Sequence, residues 1–481
     1  MTHRYLLSAT LFILCGSIFG HAADSIESGT NTATAVKAEH DAIGNAPITN
    51  QNHTLNPDAQ WYPEAGLGLF IHLGIASVKG INISWSMRDG LNGKPAQITP
   101  NNYWNLAKDF NPEKYDPNKW LKAAKDAGFV YAVLTTRHHE GFALWPSDYG
   151  DFSTKNFMGG RDLVKDYVEA CRSNGLKVGL YYSPPNWYYD RDFMNFSMRK
   201  NAPPLGPDLQ PRTSQKTPEE IAEHRKAYSA MVRGQLEELL THYGKIDLLW
   251  FDGRIPGVNG EDVMPIARIH ELQPSIVMNG RFHGQGDFIN YERKLNTTEV
   301  ATGWAEFCNT WTAYWPYVIG QKFRENGFII GQYVTCRSLN INYLLDVGAM
   351  SDGQLPDEVY KNFAVMGNWM KANGESVKGT KALSPNESAN VPATTSGSTR
   401  YLFALPKFKN DGANDQVYAS DLLPAEDATL TLSGISKPVS VKLLADGSTL
   451  NFTYANGTLT VQLPAAKRTP LVDVVRVALN P

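Results

Sequence analysis

Cysteine is scarce in this chain, with four residues in 481, one of which, Cys15, falls inside the N-terminal apolar run. The other three, Cys171, Cys308 and Cys336, are too few for a disulfide framework and have no metal-ligand spacing, so at most one bridge is expected. Charge of one sign is also lacking. A formal net charge of -3 leaves no basic footprint, which argues against nucleic acid as a partner. No His-Glu-x-x-His pair marks a zinc helix, and no Gly-rich phosphate loop follows the first expected strand. Neither a metal nor a cofactor is therefore expected. After the N-terminus no apolar run reaches the length of a membrane span.

What is present divides the chain into four parts. His3 and Arg4 precede an apolar run from Tyr5 to Phe19, and Gly20-His21-Ala22 puts small residues where a signal peptidase reads. Residues 1–22 are thus expected to be a cleaved signal peptide, making the mature protein secreted or periplasmic, with no integral membrane segment left. Residues 23–58 are rich in Ala, Thr, Asn and Ser and read as a flexible leader. From 59 to 380 strand and helix patterns alternate, and from 385 to 481 the apolar period becomes two.

In the alternating part, Gly66 to Ile71 reads as a strand ending at His72, and Phe129 to Leu134 as one running into His138-His139. Leu176 to Tyr182 leads to Ser183, Ile246 to Phe251 to Asp252, and Ser275 to Met278 to Arg281. Between them lie helix signals: Asp116-Pro117 with Gly128 as a stop, Arg161 to Cys171 closed by Gly175, and the capping box Thr217-Pro218-Glu219-Glu220. Strands separated by helices pair in parallel, and about 300 residues suit a (β/α)8-like barrel. In a barrel the polar residues after strand C-termini converge on one face, where such folds keep their active sites. The C-terminal pattern, with Asn456-Gly457 between two alternating runs, predicts an antiparallel β-sandwich.

Asp252 is the leading chemical candidate. It follows the apolar strand Leu248-Leu249-Trp250-Phe251, so a rigid element would hold its carboxylate over a cleft. The competing reading is an ordinary strand-Asp-Gly turn. His138-His139 suggests a metal, but neighbouring histidines at a strand end point in different directions, which leaves hydrogen bonding to a hydroxyl-rich ligand or an ordinary strand-end structural role. Two carboxylates compete as a proton donor. Glu306 lies in the aromatic stretch Trp304 to Tyr317, where apolar surroundings would keep it protonated, and Glu292 follows Asn290-Tyr291. A nucleophilic Asp, a separate acid and hydroxyl-binding histidines together compose a glycosidase site.

These segments resemble the α-L-fucosidases of glycoside hydrolase family 29. Trp61-Tyr62-Pro63 through Phe70-Ile71-His72-Leu73-Gly74 is similar to the family's WF...FIHWG opening, and Thr136 to Phe142 to its KHHDGF segment. Leu249 to Gly253 resembles the nucleophile strand, Glu306-Phe307-Cys308 with Trp315-Pro316-Tyr317 the E-x-C...WGY stretch, and Asn342 to Pro356 the NLLLNVGP..DG.IP segment. The resemblance implies a cofactor-free retaining exo-glycosidase acting on a glycan, with Asp252 as nucleophile and Glu306, favoured over Glu292, as acid/base. It also implies that His72, His138, His139, Trp85 and Trp250 bind the sugar while Arg281 keeps Asp252 ionised. Three departures stand out: Leu73 for Trp, Ser84 for Glu before Trp85, and Glu140 for Asp. Two alternatives to a fucosidase stand beside this reading: an α-L-galactosidase or other fucose-like glycosidase of the same family, for which the departures could make a roomier pocket, and a secreted non-catalytic sugar-binding homologue.

Overall fold

The computed structural model describes residues 53–295, 298–409 and 421–480. The expected signal peptide and most of the leader lie outside the described residues. Eight strands form the first sheet: β1 (Leu67–His72), β2 (Tyr131–Arg137), β3 (Lys177–Tyr182), β4 (Leu248–Phe251), β5 (Val277–Met278), β6 (Phe288–Glu292), β7 (Trp304–Thr310) and β8 (Asn342–Gly348). Their pairings are parallel, in the order β5-β4-β3-β2-β1-β8-β7-β6. A single bridge, Asn279 to Phe288, brings the end of β5 against β6 and closes the sheet into a (β/α)8-like barrel.

The helices that cover the barrel start where the sequence signals them. Asp116 accepts from the Lys119 amide ahead of Pro117–Ala127, and Gly128 ends that helix in the left-handed region at φ 101°. Thr217 and Glu220 form both bonds of the capping box at the head of Pro218–Thr241. Trp120, Leu121 and Ala124 on one helical face pack into the same core as Leu69, Ile71 and Leu134 of the strands.

Strand alternation sorts the residues that matter. In β1, Leu67, Leu69 and Ile71 join the layer between sheet and helices, while Phe70 belongs to the cluster inside the barrel. In β4, Leu249 and Phe251 face out, whereas Leu248 and Trp250 face in. Gly68 is glycine for a steric reason, since a Cβ there would lie 2.1 Å from the Tyr131 ring, which fills the barrel interior.

After Gly374–Ser376, two antiparallel sheets form the C-terminal sandwich, with four strands in one and five in the other. Asn456 (φ 50°) and Gly457 (φ 79°) make the two-residue turn that the sequence predicts. In the strands Thr399–Ala404 and Asp473–Ala478, Leu402, Val475 and Val477 enter the sandwich core, while Tyr401, Phe403 and Val474, with Val472 just before the second strand, enter the barrel's outer core. The Trp369 indole donates to the Val472 carbonyl at 2.8 Å, so the sandwich is packed firmly onto the barrel helices. Cys171, Cys308 and Cys336 are buried free thiols, so the one bridge that the sequence allowed does not form among them. No helix of the described residues is long and apolar enough to cross a membrane.

Candidate active site

The inward alternation of β4 continues one residue past its end, to Asp252, which is 5% exposed. Its Oδ1 accepts from Arg281 Nη1 at 2.9 Å and its Oδ2 from the Tyr181 hydroxyl at 2.7 Å. His139 Nε2 lies 3.4 Å from the same Oδ2. Arg281, from the loop after β5, donates its other arm to Glu292 Oε2 at 2.7 Å, and its guanidinium sits 4.4 Å from the Trp250 ring centroid. Burial alone would lower the Arg281 pKa, but the charges of Glu292 and Asp252 outweigh it and hold this group above its usual value. One cation thus ties together a carboxylate after β4 and a carboxylate at the end of β6.

Above this bridge lies a cavity of about 280 Å³, lined by His72, Trp85, His138, Trp250, Asp252, Arg281 and Glu292 among others. Each of the three histidines has its Nδ1 held from behind. His72 Nδ1 is 2.5 Å from Asp346 Oδ1, His138 Nδ1 is 3.0 Å from Ser84 Oγ, and His139 Nδ1 is 2.6 Å from Ser183 Oγ. The rings are further fixed by stacking: His138 lies parallel to Tyr181 at 5.5 Å, and His139 stacks on Trp187 at 5.4 Å. Anchoring at Nδ1 leaves Nε2 of His72 and His138 for the cavity, as a polyhydroxylated ligand requires.

His138 and His139 do not diverge as expected from their adjacency. Their ring centroids are 4.2 Å apart, because β2 ends at Arg137 and the pleat that alternates side chains does not extend to them. Ligand atoms of His138, His139 and Asp252 all lie within 4.8 Å of one another, so this trio is where a metal would be sought. Arg281 already occupies Asp252 Oδ1 and places a positive charge beside the trio, which suits hydroxyl groups better than a cation.

Glu306 lies elsewhere. It pairs in register with Asn290, while Glu292 pairs with Cys308, so Glu306 sits two residues deeper in the barrel than the cavity floor. It is fully buried and does not line the cavity. Its carboxylate accepts from the Tyr62 and Tyr131 hydroxyls at 3.2 and 2.7 Å, the Trp250 indole at 2.8 Å and the Asn290 amide at 2.9 Å. Burial raises the Glu306 pKa, against the pull of the Tyr131, Trp250 and Tyr62 hydrogen bonds. The aromatic setting foreseen for this residue exists, but it is a sealed interior layer and not a substrate cleft.

The three departures from the family motifs also find their positions. Leu73 continues the outward series of β1 and is 3% exposed within the outer core, so it leaves no room beside a sugar. Leu73→Trp is expected to overpack that core, costing about 1 to 3 kcal/mol. Its ratio of kcat/KM on aryl α-L-fucoside to that on aryl α-L-galactoside should stay unchanged, and a shift in that ratio would return Leu73 to the pocket. Ser84 and Glu140 both sit behind His138, with Glu140 Oε2 3.4 Å from its Nδ1, so they act on the ring's far side. Sequence reasoning gave no role to four residues that the structure brings to the site: Tyr181, Arg293, Trp315 and Asp346. For Tyr181 a signal existed, since alternation back from Ser183 turns it inward, next to Trp250 in register.

Comparison with known proteins agrees with this geometry. The family model described as Alpha-L-fucosidase matches residues 33–375. Tissue alpha-L-fucosidase of Mus musculus is 28% identical over 378 residues, covering 73% of this chain and 78% of the relative. The Homo sapiens enzyme of the same name is 27% identical over 383 residues, covering 73% and 76%. Among solved structures, alpha-L-fucosidase isoenzyme 1 from Paenibacillus thiaminolyticus superposes with a TM-score of 0.69 at 28% identity, over 88% of this chain and 99% of that one. Thermotoga maritima alpha-fucosidase in complex with fucose shares the fold at TM-score 0.66 and 22% identity, over 87% and 97%. With the family model spanning most of the barrel and its segments meeting at one cavity, the chain belongs to the alpha-L-fucosidase family.

Proposed function

We propose that this glycoside hydrolase is an exported, retaining exo-α-L-fucosidase that removes terminal fucosyl residues from glycans, with Asp252 as nucleophile and Glu292, in place of Glu306, as acid/base. The observation that carries the reading is the Arg281 bridge: one guanidinium bonds both Asp252 and Glu292 at the floor of one cavity. Carboxylates joined through a single guanidinium are near enough for the separation of about 5 Å that retaining glycosidases use. Glu292 is also open to incoming groups, its side chain being 21% exposed. The proposed assignment therefore reverses the order of preference drawn from sequence.

The bridge also supports the sequence of proton transfers. Two carboxylates and one guanidinium leave one surplus negative charge, which a single proton on Glu292 neutralises, readying it to protonate the leaving oxygen as Asp252 attacks the anomeric carbon. Once Asp252 is esterified its charge is gone, and Arg281 then faces Glu292 alone. That favours the ionised form of Glu292, the base that activates water for the second displacement. The histidine Nε2 atoms and the Trp250 face supply hydroxyl contacts and an apolar wall. The His3-Arg4 head and apolar run to Phe19 support export. The deciding experiment is proton NMR of the first-formed product from an aryl α-L-fucoside: α-fucose is expected before mutarotation, and β-fucose first would refute double displacement.

A further inference from the structure

Asp346 lies on β8, inside the barrel, in register with Phe70 of β1 and Thr310 of β7. Its side chain has no solvent exposure. Oδ1 is 2.5 Å from His72 Nδ1, and Oδ2 makes no protein hydrogen bond. A buried carboxylate with one polar partner and one unsatisfied oxygen is costly as a bare anion.

We propose that Asp346 is a positioning residue that keeps one extra proton on the Asp346–His72 pair, so that His72 presents Nε2–H to the cavity as a fixed hydrogen-bond donor for a substrate hydroxyl. The proton count supports this. If the pair carries a proton beyond that of neutral imidazole beside carboxylate, it is either carboxylate with imidazolium or carboxylic acid donating to Nδ1. Both forms leave a hydrogen on Nε2. Without that proton, the hydrogen on Nδ1 faces the carboxylate and Nε2 becomes an acceptor. Burial raises the Asp346 pKa well above its usual value, with Arg293 opposing, so the proton persists as pH rises from the acidic side. Burial and the neighbouring His138 lower that of His72, which favours the acid-with-neutral-imidazole form. The other groups facing the ring are Asp252 after β4 and Arg293 after β6, with Phe70, Tyr181 and Trp315 as its aromatic walls.

The test is Asp346→Leu, similar in size but able neither to hold the proton nor to donate to Nδ1. On an aryl α-L-fucoside, KM is expected to rise about tenfold with kcat changed much less, since a ground-state hydroxyl contact is weakened. The alkaline limb of the wild-type kcat/KM profile combines loss of the Glu292 proton with loss of the pair's proton, so in the variant only the Glu292 part should remain and the limb should move. A variant with wild-type KM and an unmoved alkaline limb overturns the proposal, whatever its thermal midpoint. A second measurement needs neither substrate nor a stable variant: 15N NMR of histidine-labelled wild-type protein, with His72 assigned by His72→Gln. A protonated Nε2 at neutral pH is expected, and a bare Nε2 there overturns the proposal. The kinetic arm rests on the fucoside-hydrolase reading and the NMR arm does not, so the two fail separately.

Discussion

Asp252→Gly is expected to lower turnover of an aryl α-L-fucoside on the order of ten-thousand-fold while leaving the fold intact. The side chain sits at the end of β4 over the cavity, so removing it creates no core void. Arg281 would keep its bond to Glu292, and the histidines their Nδ1 anchors. The space released beside Arg281 is cationic and fits a small anion, so added azide should restore turnover and yield the β-fucosyl azide. Near-normal activity in the unrescued variant would remove Asp252 from the nucleophile's role.

The second large effect separates the two glutamates. Glu292→Ala should retain much of its rate on fucosides with good aryl leaving groups and lose orders of magnitude on fucosyl saccharides, whose leaving oxygen needs a proton. Azide should rescue it as well. Glu306→Ala should behave differently because it strips an acceptor from Tyr62, Tyr131, Trp250 and Asn290 at once. Leaving buried donors unpaired costs about 1 to 3 kcal/mol each, so the main result is a less stable or poorly accumulating protein. Whatever folds should show equal losses on good and poor leaving groups, with no azide effect. Leaving-group dependence in Glu306→Ala but not in Glu292→Ala would exchange the roles.

Much of this was legible in the sequence because the fold writes it locally. Strand ends carry His72, Asp252 and Arg281, helix starts carry Asp116 and Thr217, and Asn456-Gly457 marks its hairpin. Each rests on contacts among a few neighbouring residues. Depth along a strand is different. Glu306 looked like a buried acid because of its aromatic neighbours, but those neighbours fill a layer below the cavity, and only register against β6 reveals this. The strand-end criterion that selected Asp252 would have selected Glu292, the last residue of β6, just before Arg293 at φ 63°. Asp346 was hidden for a related reason: its partner His72 is 274 positions away, and nothing short-range connects them.

The weakest join of the barrel lies between β5 and β6, where one bridge and Asp287, whose carboxylate accepts from the Met278 amide and whose own amide donates to the Met278 carbonyl, both at 2.7 Å, hold the edge. Asp252 comes from one side of that join, Glu292 from the other, and Arg281 spans it. Local breathing of the sheet therefore begins beside the proposed catalytic carboxylates, and the Met278 amide, bonded across this join, should exchange with solvent sooner than the amides of β1 and β2. On the proposed double displacement, trapping the glycosyl-enzyme would remove one anchor of the guanidinium, making exchange at this amide a clock for how long each covalent intermediate leaves the barrel unlatched.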